Sequence, residues 1–173
     1  MGACISCYKD FQEIYKVKNA NYDNGLFSLY GKQMYGKIVD IYDCDTFTIA
    51  FYMDNQIKLY KCRLFGIDGV ELQGTTKTLA LEAKQFVIEL LIGKKLNKNI
   101  EFMNKKELRK LYDENIVFVK CYKFEKYGRL LVDVYICQKS FCGMYVEDNN
   151  SINKKLLLNG FAKKYYGKTK ENW

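Results

Sequence analysis

The chain alternates between apolar and polar positions from Lys37 onward. Ile38-Val39-Asp40-Ile41-Tyr42 reads as one strand. Phe47, Ile49 and Phe51 alternate with Thr48 and Ala50, the period of a half-buried strand. Asp54-Asn55 marks a tight turn, and residues 56–67 return as a third strand, so the three form a curled meander. Two more strands are predicted at 116–124 and 130–138, joined by the turn Lys126-Tyr127-Gly128. The spacing changes to helical over 77–92, where Leu79, Ala83, Phe86, Val87 and Leu90 share a face and Gly93 ends the run. Ser151 caps a shorter helix at 152–159, closed by Asn159-Gly160. Residues 94–115 are charged and irregular. They read as an exposed insertion, centred on 97–115, with a short helix around Lys105–Tyr112. Five strands with a helix after the third is the order of a small OB-type barrel. The expected fold class is therefore α+β: a five-stranded OB-type β-barrel with flanking α-helices, spanning 36–173. Residues 1–35 read as a polar, tyrosine-rich spacer behind an N-terminal motif, with weak helical spacing at Phe11, Ile14, Tyr15 and Lys18.

Charge narrows the partners. A formal net charge of +8 over 173 residues favours an acidic one, either nucleic acid or an anionic membrane face. Of 28 basic residues only Arg63, Arg109 and Arg129 are arginine. Arginine offers a planar fork that grips phosphate in two places, whereas lysine is a point charge. The exceptions therefore mark positions where lysine does not serve. Histidine is absent, which excludes a histidine base, a histidine-activated nucleophile and histidine metal ligands. Seven scattered cysteines and no secretory signal pattern point to reduced thiols in the cytoplasm. No apolar run approaches the ~18 residues of a membrane-spanning helix.

The first seven residues, Met1-Gly2-Ala3-Cys4-Ile5-Ser6-Cys7, match the myristoylation pattern at Gly2, with Cys4 and Cys7 placed for palmitoylation. One myristoyl chain binds membranes marginally and a second makes attachment stable. The expectation is a cytoplasmic protein held at a membrane by its acylated N-terminus. The rival use of Cys4 and Cys7, as half a metal or redox site, has no histidine and only distant cysteines to complete it.

The barrel order collects chemistry at the strand ends. Asp45 follows the first strand, and Asp68 and Glu71 end the third. Hard oxygen ligands of this kind suit calcium or magnesium rather than zinc. A further carboxylate can orient or deprotonate an attacking water. Arg63 and Arg129 can clamp a phosphate and stabilise its developing charge. Together these groups suffice for phosphodiester hydrolysis without histidine.

Four stretches carry a family resemblance: Asp43-Cys44-Asp45-Thr46; Arg63 through Glu71; Lys126-Tyr127-Gly128-Arg129; and Gly160-Phe161-Ala162-Lys163. In these the chain resembles the staphylococcal-nuclease-like, or thermonuclease, family over about 36–168. The resemblance implies calcium-dependent hydrolysis of DNA, and of RNA, leaving 3′-phosphate ends, with calcium preferred to magnesium. It implies Asp45, Asp68 and the Gly69 carbonyl as metal ligands, and Glu71 acting on the nucleophilic water. It implies Arg63 and Arg129 on the scissile phosphate, Tyr127 on a neighbouring phosphate and Tyr166 near a base. It names no protein partner. Two departures stand out. Cys44 replaces the family's glycine, which would cost roughly 1–2 kcal/mol if the turn needed a left-handed residue. Gly69-Val70 replaces Thr-Pro, which loosens the loop that aims Glu71. These departures motivate the alternative of a catalytically silent OB-fold module that binds nucleic acid while tethered to a membrane.

Overall fold

In a computed structural model of the chain, the described residues are 13–20, 26–72, 76–139 and 145–167. The acylation motif at Gly2, Cys4 and Cys7 lies outside them. Residues 13–18 form a short exposed helix, α1.

The alternating stretches become strands whose apolar sides point inward. These are β1 (Gln33–Ile41), β2 (Thr46–Met53), β3 (Gln56–Leu64), β5 (Ile116–Phe124) and β6 (Leu130–Lys139). The sheet order is β3-β2-β1-β5-β6, and β3 also pairs with β6 in parallel, at Cys62↔Leu130, Arg63↔Leu131 and Leu64↔Val132. That second pairing closes the five strands into a ring. Ile38, Phe47, Ile49, Phe51, Leu64, Val117, Val119, Val132 and Val134 fill its interior. The Asp54-Asn55 turn has both residues at positive φ, 50° and 60°, as a two-residue hairpin with the native strand twist requires.

Three short strands were not anticipated. The run expected to continue to 67 breaks at Gly66, whose φ of 75° turns the chain aside. The chain resumes as β4 (Ile67–Gly69), which pairs antiparallel with β8 (Ala162–Lys164) in a separate two-stranded sheet. β7 (Tyr145–Glu147) adds to the far edge of β6. Upstream, β1 starts at Gln33 and Leu29 is fully buried, so the folded part reaches into the stretch assigned to the spacer.

Helix α2 (Lys77–Ile92) forms where its period placed it, with Gly93 in the left-handed region at its end. Its buried stripe is rotated by one residue from the expected face. Ala80, Ala83, Val87 and Leu91 pack inward, while Leu79 sits on the solvent side. The insertion forms the short helix expected around Lys105–Tyr112, but it is less exposed than expected. It holds a 3₁₀ turn (Ile100–Phe102) and α3 (Lys105–Leu111), and Ile100 and Tyr112 are buried in the core. Asn104 and Glu107 form a reciprocal capping box that starts α3.

Helix α4 (Ile152–Leu158), capped by Ser151, supplies the staple of the ring. Asn153 is 4% exposed. Its Oδ1 accepts the Val134 N–H at 3.2 Å, and its Nδ2 donates to the carbonyls of Phe65 at 3.0 Å and Val132 at 3.1 Å. One amide thus ties the end of β3 to β6 at the closing seam. Replacing Asn153 with alanine removes the partner of the Val134 N–H and of the Phe65 carbonyl, each costing about 1–3 kcal/mol, while the Val132 carbonyl keeps the Phe65 N–H at 2.8 Å. The expected loss, measured by urea unfolding, is at least about 2 kcal/mol; an unchanged midpoint would contradict the staple.

Candidate active site

Closure of the ring places Arg63, at the end of β3, beside both the start of β2 and the start of β6. Thr46 pairs with Arg63 across β2 and β3, and the Asp45 carbonyl accepts the Leu64 N–H at 2.8 Å. Asp45 and Asp68 are buried, with side chains 4% and 7% exposed. Arg63 joins them. Its Nη2 lies 3.0 Å from Asp45 Oδ2 and 2.6 Å from Asp68 Oδ1, while Nη1 donates to Asp45 Oδ1 at 3.2 Å. Asp45 also accepts the Gly69 N–H at 2.9 Å and the Thr46 hydroxyl at 2.8 Å. Arg129, beside β6, reaches the same network through Thr46, whose Oγ1 its Nη1 meets at 3.4 Å. Glu125 pairs with the Nε of Arg129 from one helical turn's distance in sequence.

Asp45, Arg63, Asp68, Gly69 and Arg129 line one cavity of about 270 Å³, together with Asp43, Val70 and Glu71. Six of the eight residues expected around the metal and substrate meet there: Asp45, Asp68, Gly69, Arg63, Arg129 and Glu71. Buried Val70 anchors the loop below, and the exposed Glu71 stands at the rim with its carbonyl accepting the Thr76 hydroxyl. Tyr127 and Tyr166 lie outside the lining. Tyr127 is exposed on the β5–β6 turn, with Lys126 Nζ 4.8 Å from its ring centre. Tyr166 is exposed beside Gly66, edge-on to Phe65 at 6.3 Å between centroids.

Three residues of the network were not singled out from sequence: Asp43, Thr46 and Glu125. Asp43 carried a signal, as an acid two positions before Asp45 in the same short connection between β1 and β2. Its Oδ1 accepts the Asp45 N–H at 3.1 Å. Burial and the neighbouring Asp45 charge push its pKa up to about 6. Burial works against the charged form of Arg63, but Asp45, Asp68, Asp43 and Glu125 outweigh it and hold the guanidinium protonated.

The donor set fits a hard cation. Two buried carboxylates converge beside a backbone segment at Gly69, and a third carboxylate close by is crowded by negative charge despite Arg63. Among the described residues no cluster of three or more acidic, cysteine or histidine side chains is close enough to share an ion, so backbone oxygens and water must complete any shell.

The two departures at Cys44 and Gly69 are one packing event. Cys44 is not in the left-handed region, so the strain expected there is absent. Its thiol is fully buried and fills the space over Gly69, where an added Cβ would lie 2.5 Å from Sγ. A larger residue at 44 thus goes with a smaller one at 69. Burial and the adjacent Asp45 and Asp43 charges push the thiol's pKa far upward, so it stays protonated.

The family whose sequence model is described as Staphylococcal nuclease homologue matches residues 61–172, well over half of the chain. The matched stretch contains Arg63, Asp68, Gly69, Glu71, Tyr127, Arg129 and Tyr166; Asp45 lies upstream of it. None of the curated proteins matches.

Two predictions arise from this geometry. Gly69→Ala should cost about 1–3 kcal/mol by overpacking, and Cys44→Ala should recover part of that cost in the double variant, since Asp45 Cβ and Cγ, 3.1 and 3.2 Å from the added carbon, still crowd it. A coupling below ~0.5 kcal/mol in urea unfolding would show that the two sites pack independently. For Asp43 the folded pKa is raised, so its contribution to stability is lost as pH climbs from near 4 through about 6. In chelator, Asp43→Asn should therefore raise thermal stability at pH 7.5, by about 1–2 kcal/mol, and the gain should vanish towards pH 4. A gain independent of pH would rule out this cause.

Proposed function

The chain belongs to the staphylococcal nuclease homologues, and from that membership we propose that it is a calcium-dependent nuclease acting on DNA and RNA. The observation that carries the proposal is the buried Arg63 fork between Asp45 and Asp68, with Arg129 and Glu71 on the same cavity. Asp45, Asp68 and the Gly69 carbonyl are the groups that would hold the ion. When bound, calcium would supply positive charge for the phosphoryl oxygens and favour ionisation of water.

The chain's own residues divide the remaining work. Arg63 uses Nη1 and Nη2 on the carboxylates, and its guanidinium carries five N–H donors, so it can bind phosphate from the same place. Arg129 approaches from β6, so a phosphate in the cavity meets guanidinium groups from two strands. Both donors are held before substrate arrives, and preorganised donors of this kind stabilise charge that develops in the transition state. Glu71, at the rim, accepts a proton from the attacking water. The water oxygen bonds to phosphorus, the bond from phosphorus to the 5′ oxygen breaks, and that oxygen leaves with a proton from solvent. Tyr127 and Tyr166 flank the cavity as contacts for a neighbouring phosphate and base. Acylation at Gly2, with Cys4 and Cys7, would place the enzyme on the cytoplasmic face of a membrane.

Digestion of single-stranded and duplex DNA with and without Ca²⁺ tests the proposal. Cleavage should require Ca²⁺ and be abolished by Glu71→Gln. Arg63→Lys and Arg129→Lys should each lower turnover about 10²–10³-fold. Unchanged turnover in either arginine variant would sink the mechanism. Binding without cleavage by the folded parent would instead assign the chain to the silent OB-fold modules.

A further inference from the structure

Arg109, the third arginine, has no part in the catalytic network. It lies on α3, in the insertion, where its Nε pairs with Asp40 Oδ1 at 3.0 Å. Lys105, one turn earlier, pairs with the other oxygen of Asp40 at 3.0 Å. Two cations thus neutralise one carboxylate. Asp40 sits on the edge of a second cavity, of about 320 Å³, between β1, α2 and α3. Its apolar wall includes Ile88, Met103, Leu108 and the buried Tyr112. Lys84 of α2 lines it as well, half-buried, with Nζ donating to the Tyr42 carbonyl at 3.0 Å. No ion pair engages Lys84 among the described residues, so its ammonium keeps donors for an incoming anion.

Tyr42 connects this cavity to the chemistry. It lines both cavities, and its side chain is 66% exposed between them. A strand whose scissile phosphate lies against Arg63 and Arg129 meets Tyr42 on leaving the catalytic cavity in this direction. An exposed aromatic face followed by an apolar recess with a lysine at its mouth is suited to a nucleobase and its phosphate. The volume falls in the range of small-ligand pockets. Duplex DNA cannot enter such a recess without unpairing, because its bases are stacked and hydrogen-bonded inside the helix.

We propose that the cavity bounded by Tyr42, Lys84 and α3 is a second nucleotide subsite, which takes an unpaired base beside Tyr42 and its phosphate on Lys84. Arg109 and Lys105 are positioning residues, pairing with the Asp40 carboxylate so that its charge does not repel that phosphate. The subsite gives the chain a preference for single strands. It rests on the nuclease reading above, and the test separates the two.

The probe is a fluorescein-labelled octathymidylate, compared with the same length of duplex, titrated by anisotropy with the Glu71→Gln protein in Ca²⁺. Adding Lys84→Gln, which keeps a donor for the Tyr42 carbonyl but removes the charge, should weaken single-strand binding about tenfold and duplex binding less than twofold. Tyr42→Leu, which leaves every charge in place, should do the same. Equal losses on single strand and duplex, or no loss in either variant, would overturn the subsite. Cleavage by the otherwise unaltered protein is measured alongside. A selective loss of single-strand binding without any cleavage by that protein would support the subsite and sink the nuclease. Cleavage with undiminished binding in both variants would sink the subsite alone.

Discussion

The parallel seam between β3 and β6 is the constraint on which the rest of this molecule depends. Without it the strands would form an open sheet, with Arg63 and Arg129 at opposite edges. Cys62↔Leu130, Arg63↔Leu131 and Leu64↔Val132 bring those edges together, and Asn153 fastens them from α4. The acids follow from the same closure. Asp45 is held by the Leu64 N–H, and Asp68 by the short step from β3 to β4. The site is a by-product of how the barrel shuts.

Electrostatics sharpen that placement. Burying Asp45 and Asp68 without a counter-charge would be prohibitive, and Arg63 supplies it at hydrogen-bonding distance. Burial, and after it the neighbouring Asp45 charge, still push Asp43 upward. Asp43, Asp45, Asp68 and Glu71 line the cavity with two arginines, and that charge pattern is the basis for proposing a cation there. The same arginine faces the cavity, so the group that stabilises the fold is also the one positioned for phosphate.

Much of this was legible from residue types and spacing. Alternation located all five barrel strands, and the scarcity of arginine pointed to Arg63 and Arg129. What stayed hidden was set by tertiary contact. The inward face of α2 turns on Ala80, which carries little hydrophobic signal beside Leu79. The insertion looked like surface because it is charged, but single residues, Ile100 and Tyr112, dock it. β4 and β8 are three residues each, too short for any period to register. Cys44 and Gly69 were read as two separate departures, and only their contact shows them to be complementary in size.

The seam also has a consequence in time. It joins residues more than a third of the chain apart, and such distant contacts form slowly because a long loop must be closed first. β6 and α4 are also synthesised after β3. Until they arrive, a growing chain has the acids and Arg63 but neither Arg129 nor the staple, and so no paired arginines. The pairing of Arg63 with Arg129 around one cavity therefore waits on the slowest contact of the fold, not on the local strands that carry each arginine.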